Sequence, residues 1–122
     1  MNKKPEYTLV KSDSANNALT WVIQVGGKVV GNIDIDLENT AHVESPSVKM
    51  RLDETNRGID TAVMKEIIKY AYCNLPSEVL YSRQQLNDAT TDTLNKSLGF
   101  EKDGDAYADD DGLTWQNVKL VL

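Results

Sequence analysis

Cysteine is nearly absent from this chain of 122 residues, with Cys73 alone. An intramolecular disulfide and a four-cysteine zinc site are therefore excluded, and the composition suits a reducing compartment. Histidine is equally scarce, represented only by His42. No apolar run approaches the roughly 20 residues needed to span a bilayer. The opening MNKKPEYTLVKS has basic residues but no apolar stretch behind them, and does not read as a signal peptide. The expected location is the cytoplasm, with no membrane partner. Positive charge is also short: 13 Lys and Arg against 19 Asp and Glu give a formal net charge of -6. That argues against nucleic acid, whose phosphate backbone calls for a basic face, and it suits a cationic partner such as an amine. No repeat or low-complexity linker divides the chain, and its length fits one domain, 1–122, rather than two.

What is present reads as a mixed α/β layer fold. Glu6–Lys11 alternates in part and fits a first or edge strand, followed by a polar, turn-like segment over Ser12–Asn17. Thr20–Val25 is rich in aromatic and β-branched residues and predicts a strand. Gly26-Gly27 predicts a two-residue hairpin turn, and Lys28–Leu37 the returning strand. After a loop over Glu38–Ser47, Val48–Leu52 predicts a strand and Asp53–Arg57 a turn. A helix is expected from Gly58 to Cys73, lined on one side by Ile59, Ala62, Val63, Ile67 and Tyr70 and stopped by Pro76. Cys73 is expected to be buried or half-buried. Glu78–Arg83 predicts a strand, and Asp88–Leu98 a second helix capped by Asp88 and closed by Gly99. Phe100–Ala108 and Thr114–Leu122 predict a closing hairpin around the acidic turn Asp109–Gly112. That turn has the wrong ligand spacing for a calcium loop, because Tyr107 and Val118 would fall at the two ligand ends. Trp21 and Trp115 lie in separate strands and read as packing residues.

The most informative stretch is Val48 to Tyr72. A strand gives way to a turn, and Arg57-Gly58 sits where the turn opens a helix. Free backbone N–H groups and the positive helix end can converge there on an anion, phosphate being the usual one.

Two motifs flanking a strand carry a family resemblance. Thr55, Gly58 and Asp60 align with a Gln/Arg-x-x-Gly-x-Gly/Ala signature, and Arg57-Gly58 matches its common Arg-Gly pair. Asp88, Thr91 and Leu98-Gly99-Phe100 align with an Asn-x-x-Ser helix ending in Leu-Gly-Phe. At this spacing the chain resembles the GNAT (Gcn5-related) N-acetyltransferases over most of its length. The resemblance implies an α+β fold with a central mixed, mostly antiparallel sheet flanked by helices. It also implies a splayed cofactor cleft between the strands at 48–52 and 78–83. The implied activity is transfer of an acetyl group from acetyl-CoA to a primary amine of a small molecule or peptide.

By the same resemblance, backbone at Met50 and Leu52 would hold the pantetheine and polarise the carbonyl. Asn56, Arg57, Gly58, Ile59, Asp60 and Thr61 would cradle the pyrophosphate, and Thr91 would add to the site from the second helix. There are departures. Asp60 puts a carboxylate where the family prefers a small residue, and Asn95 stands where many members carry a tyrosine acid. Either the Asp60 carboxylate opposes phosphate, or it serves the first turn of the helix. The connection between Lys11 and Thr20 is too short for the two helices that typical members place there, which implies an open acceptor groove and admits a homodimer. For proton transfer the candidates are His42, Glu44 and Tyr81, with Asp53 and Glu54 also near the central strand. Asp60 and Asn95 favour an alternative from another class: a catalytically weak GNAT-fold domain that binds CoA or a protein partner.

Overall fold

The computed structural model describes residues 6–12 and 17–122. Most of the expected Ser12–Asn17 turn lies outside them. Among the described residues eight strands form one sheet: β1 (Thr8–Ser12), β2 (Ala18–Val25), β3 (Lys28–Asp36), β4 (Ser47–Leu52), β5 (Val79–Gln85), β6 (Glu101–Lys102), β7 (Tyr107–Ala108) and β8 (Thr114–Val121). The spatial order is β1-β2-β3-β4-β5-β8-β6, with β7 also beside β8. Every pairing is antiparallel except β4 with β5. Two helices, α1 (Asp60–Asn74) and α2 (Ala89–Leu98), flank the sheet. This is the mixed, mostly antiparallel α+β architecture that the sequence implied.

Register explains which face is covered. Trp21 pairs with Ile33 and Ile33 with Met50, while Ile35 pairs with Val48. Paired residues share a face. These side chains join Leu80 and Val118 with Val63, Met64, Ile67 and Ala71 of α1 and Leu94 of α2 in one core. Ile23, Ile33, Ile35, Ile67 and Leu80 are essentially fully buried, each contributing ~2–3 kcal/mol of transfer free energy. Tyr70 closes the outer end, its ring edge-on to Trp21 at 4.8 Å. The opposite face carries Thr20, Asp34, Asp36, Lys49, Arg51, Tyr81, Arg83 and Trp115 by the same alternation.

Several local expectations hold. Gly26 and Gly27 both take positive φ at the β2–β3 turn, a conformation cheap only for glycine. Asp88 Oδ1 accepts from the Thr91 N–H at 3.0 Å, and Gly99 closes α2 at φ 97°. Others need correction. The turn at Asp53–Arg57 becomes two short 3-10 turns within Glu54–Ile59, separated by non-helical backbone at Asn56, and these run into α1. Along α1, Met64 and Ala71 face inward, while Ile59, Ala62 and Tyr70 are only half-buried. Cys73 is exposed, because two residues beyond Ala71 a helix has turned about 200° away from the core. The Phe100–Ala108 strand breaks into the short β6 and β7. Gly104 at φ 77° bends the chain between them, and its carbonyl is tied instead to Gln116 Nε2 at 3.0 Å.

Candidate functional site

The site is a break in the sheet. β4 and β5 run parallel and pair at one position, Ser47 with Tyr81. The Tyr81 N–H donates to the Pro46 carbonyl at 2.8 Å, and Ser82 Oγ to the Val48 carbonyl at 2.8 Å. Beyond that point the strands part. The Asp53 N–H donates to Val30 of β3, so odd-numbered backbone groups at this end of β4 face β3. Alternation then directs the main chain of Met50 and Leu52 into the gap. A strand edge facing a gap offers both donors and acceptors to an extended ligand. A cavity of about 1300 Å³ runs through the gap from the helix-covered side to the open face.

On the helix side the cavity is lined by Met50, Leu52, Arg57, Met64, Ser82, Gln84, Asp88, Thr91, Leu94 and Asn95. Asn95 and Gln84 are 5% and 6% exposed. Asn95 Nδ2 donates to Gln84 Oε1 at 2.9 Å, and Gln84 Nε2 donates to Asp92 Oδ1 at 2.7 Å. Asp92 in turn meets Lys96 Nζ at 2.9 Å. These bonds fix the orientation of both amides. The Gln84 bond, with Lys96, holds the Asp92 carboxyl below its ordinary value. Thr91 does the same for Asp88 through its hydroxyl and its amide, aided by the charge of Arg57.

The helix start is less open than the sequence implied. The Asn56 N–H donates to Asp53 O, and the Asp60 N–H to Arg57 O. Asp60 Oδ1 accepts from the Thr61 N–H at 2.6 Å and from Thr61 Oγ1 at 3.2 Å. The carboxylate thus serves the first turn of α1. At Gly58 a Cβ would meet nothing within 4 Å, so that face of the turn is free for close approach.

The structure divides the sequence-derived candidates. Met50, Leu52, Arg57, Thr91 and His42 line the cavity, whereas Asn56, Gly58, Ile59, Asp60 and Thr61 lie beyond its lining. Tyr81 and Glu44 also lie outside that lining and come together beside the Ser47–Tyr81 pairing, where the strands are still joined. A hydrogen bond to the Glu44 carboxylate, with desolvation and its charge, raises the Tyr81 hydroxyl above its ordinary value. His42 stacks on Tyr107 at 4.8 Å, and its carbonyl accepts from Asn117 Nδ2 at 2.6 Å. Sequence reasoning missed Gln84, because it ended β5 at Arg83. It also missed Arg83 and Trp115, which meet across β5 and β8 with the guanidinium 3.8 Å from the ring centroid. The available signal was the strand alternation, which puts Ser82 and Gln84 on one face and Tyr81 and Arg83 on the other.

No protein-family model and no curated protein sequence matches the chain. Solved structures match its shape. The N-acetyltransferase PseH of Campylobacter jejuni superposes with a TM-score of 0.65 at 20% identity, over 88% of this chain and 70% of its own. The spermidine N-acetyltransferase SpeG of Vibrio cholerae gives 0.72 at 12% identity, over 87% and 66%. An acetyltransferase of the GNAT family from Streptococcus pneumoniae gives 0.72 at 17% identity, over 89% and 69%. Against these three proteins the chain therefore covers 66–70% of their length. These likenesses extend over 87–89% of the chain, which has the fold of the GNAT N-acetyltransferases.

Proposed function

We propose that this single domain transfers an acetyl group from acetyl-CoA to a primary amine. The observation that carries the reading is the cavity through the β4–β5 gap, which connects two faces of one sheet and lets two substrates meet within it. PseH is known in complex with acetyl coenzyme A, and SpeG with CoA and spermine. The residues present fit such a donor: an unpaired strand edge at Met50 and Leu52, a cavity of about 1300 Å³, and Arg57 on its wall shortly before α1 begins. When bound, acetyl-CoA supplies an activated acyl group as its thioester.

The chain's own residues do the rest. Main-chain N–H at Met50 and Leu52 would orient the thioester and stabilise negative charge on its carbonyl oxygen. Arg57, Gly58 and Thr61 would approach the pyrophosphate, with Asn56, Ile59 and Asp60 shaping the turn and Thr91 adding from α2. His42, on the cavity wall, and the Tyr81–Glu44 pair, outside the lining where β4 and β5 are still joined, are the groups that would move protons. As the N–C bond forms and the C–S bond breaks, the amine proton passes to one of these or to water. Asn95 has no acidic proton and favours a second reading, a catalytically weak domain that binds CoA or a protein partner.

Calorimetric titration with acetyl-CoA, followed by a free-thiol assay with amines, tests the proposal. Saturable one-site binding and amine-dependent thiol release are expected. No binding at millimolar ligand would overturn the enzyme reading, and binding without thiol release would favour the second.

A further inference from the structure

Three cations stand around the mouth of the gap on the open face. Ser47 and Tyr81 are paired across β4 and β5, so Lys49 and Arg83, two residues on, share that face and stand opposite each other where the strands part. Arg51 is two residues further along β4. All three line the cavity. Among the described residues none of them is ion-paired with a carboxylate. Arg51 Nε donates to Asn32 Oδ1 at 3.2 Å. Lys49 is registered beside Asp34 without forming an ion pair. Like charges opposite one another on neighbouring strands are destabilising, and an anion between them would reverse the sign.

Arg83 is ordered in advance. Its guanidinium carbon sits over the Trp115 ring at 3.8 Å, and Trp115 Nε1 donates to Asp109 Oδ2 at 2.7 Å, which holds the ring. A stacked arginine loses less side-chain freedom when it binds a carboxylate or phosphate. On this open face the acids of the cavity lie one strand outward on each side: Asp34 and Asp36 on β3, and Asp109–Asp111 on the turn before β8, with the charge of Asp109 felt by Arg83. The charged residues that the two bordering strands contribute to its open mouth are all cations, beside the neutral Ser47 and Gln85.

We propose that the acceptor amine carries an anionic group, carboxylate or phosphate, near its nitrogen, and that Arg83, Lys49 and Arg51 hold that group. This rests on the acyl-transfer reading above and reverses the expectation drawn from net charge, of a purely cationic acceptor. The test uses the full chain without CoA and reads the Trp115 indole N–H by NMR, assigned with Trp115→Phe. N-acetylglycine and N-acetylated O-phosphoethanolamine probe the carboxylate and phosphate forms, and N-acetylglycinamide is the neutral control. One or both anionic probes should shift the Trp115 signal saturably while the amide does not, and whichever binds more tightly identifies the group. Arg83→Gln should weaken binding about tenfold, the effect of one charge-assisted contact, and Arg83→Lys should retain more of it. Equal response to the amide, no response to either anionic probe, or an Arg83→Gln variant that binds normally would overturn the proposal. Acetyl-CoA calorimetry on the same protein judges the underlying reading separately, since it does not depend on the indole signal.

Discussion

Asp60→Asn separates the two roles of one carboxylate. Its Oδ1 accepts from the Thr61 N–H at 2.6 Å, at the positive end of α1, and it sits beside the turn proposed to receive pyrophosphate. Asparagine keeps an oxygen for the Thr61 amide but removes the charge. The lost helix-end attraction costs ~0.3–1 kcal/mol. Downgrading a charge-assisted hydrogen bond to a neutral one costs roughly 0.5 kcal/mol more. The variant should therefore be destabilised by about 1 kcal/mol, a fall in Tm of roughly 3–5 °C for a domain of this size. Its affinity for CoA should move the other way. A unit charge about 4 Å from a phosphate opposes it by about 1 kcal/mol in water, so relief is worth about fivefold in Kd, less in high salt. Calorimetry at two salt concentrations and a thermal melt read both effects. A folded variant that binds CoA equally or more weakly at both salts would refute the claim that the carboxylate opposes phosphate.

Three other outcomes are expected. Gly31→Ala should destabilise by ~3 kcal/mol or more, because its Cβ would strike the Arg51 carbonyl where β3 and β4 run closest; an unchanged melt would show that the strands can part. Asp88→Ala should cost ~1–2 kcal/mol through the lost cap of α2. Because Thr91 depresses the Asp88 pKa in the folded state, the parent's advantage should be complete above the ordinary value of 3.8 and shrink as pH falls below it. A cost that persists undiminished into acid would contradict this. Tyr81→Phe should lower kcat roughly 10²-fold if the Tyr81–Glu44 pair moves a proton, with acetyl-CoA affinity unchanged. An unaltered kcat removes the pair from the mechanism.

Local chemistry was legible wherever one residue type settles a backbone choice. Gly26-Gly27 gave its hairpin and Asp88 with Gly99 the ends of α2, because positive φ and an N-cap oxygen are properties of single residues. The chain's paired motifs and their spacing also sufficed to suggest the fold. Where the sequence reading slipped, a competing partner decided. Tertiary hydrogen bonds to Asn117 and Gln116 accompany the break in the expected strand after Phe100, and Met64 and Ala71 join Val63 and Ile67 on the buried side of α1, with Ile59 packed against the core just before it.

The site depended far more on tertiary structure. No local pattern states that β4 and β5 pair once and then part; that follows from a parallel pairing set by α1 and by β8 on the far side. Nor does sequence place Lys49 opposite Arg83, or bring Glu44 to Tyr81 and Gln84 to Asn95, since each pair is far apart in the chain. The sequence by itself determined the elements, their caps and the amphipathic faces, because those depend on neighbours within a few residues. Strand register alone decided which charges share the open face and where the sheet splits, because register is a relation between distant segments that only the folded core can fix.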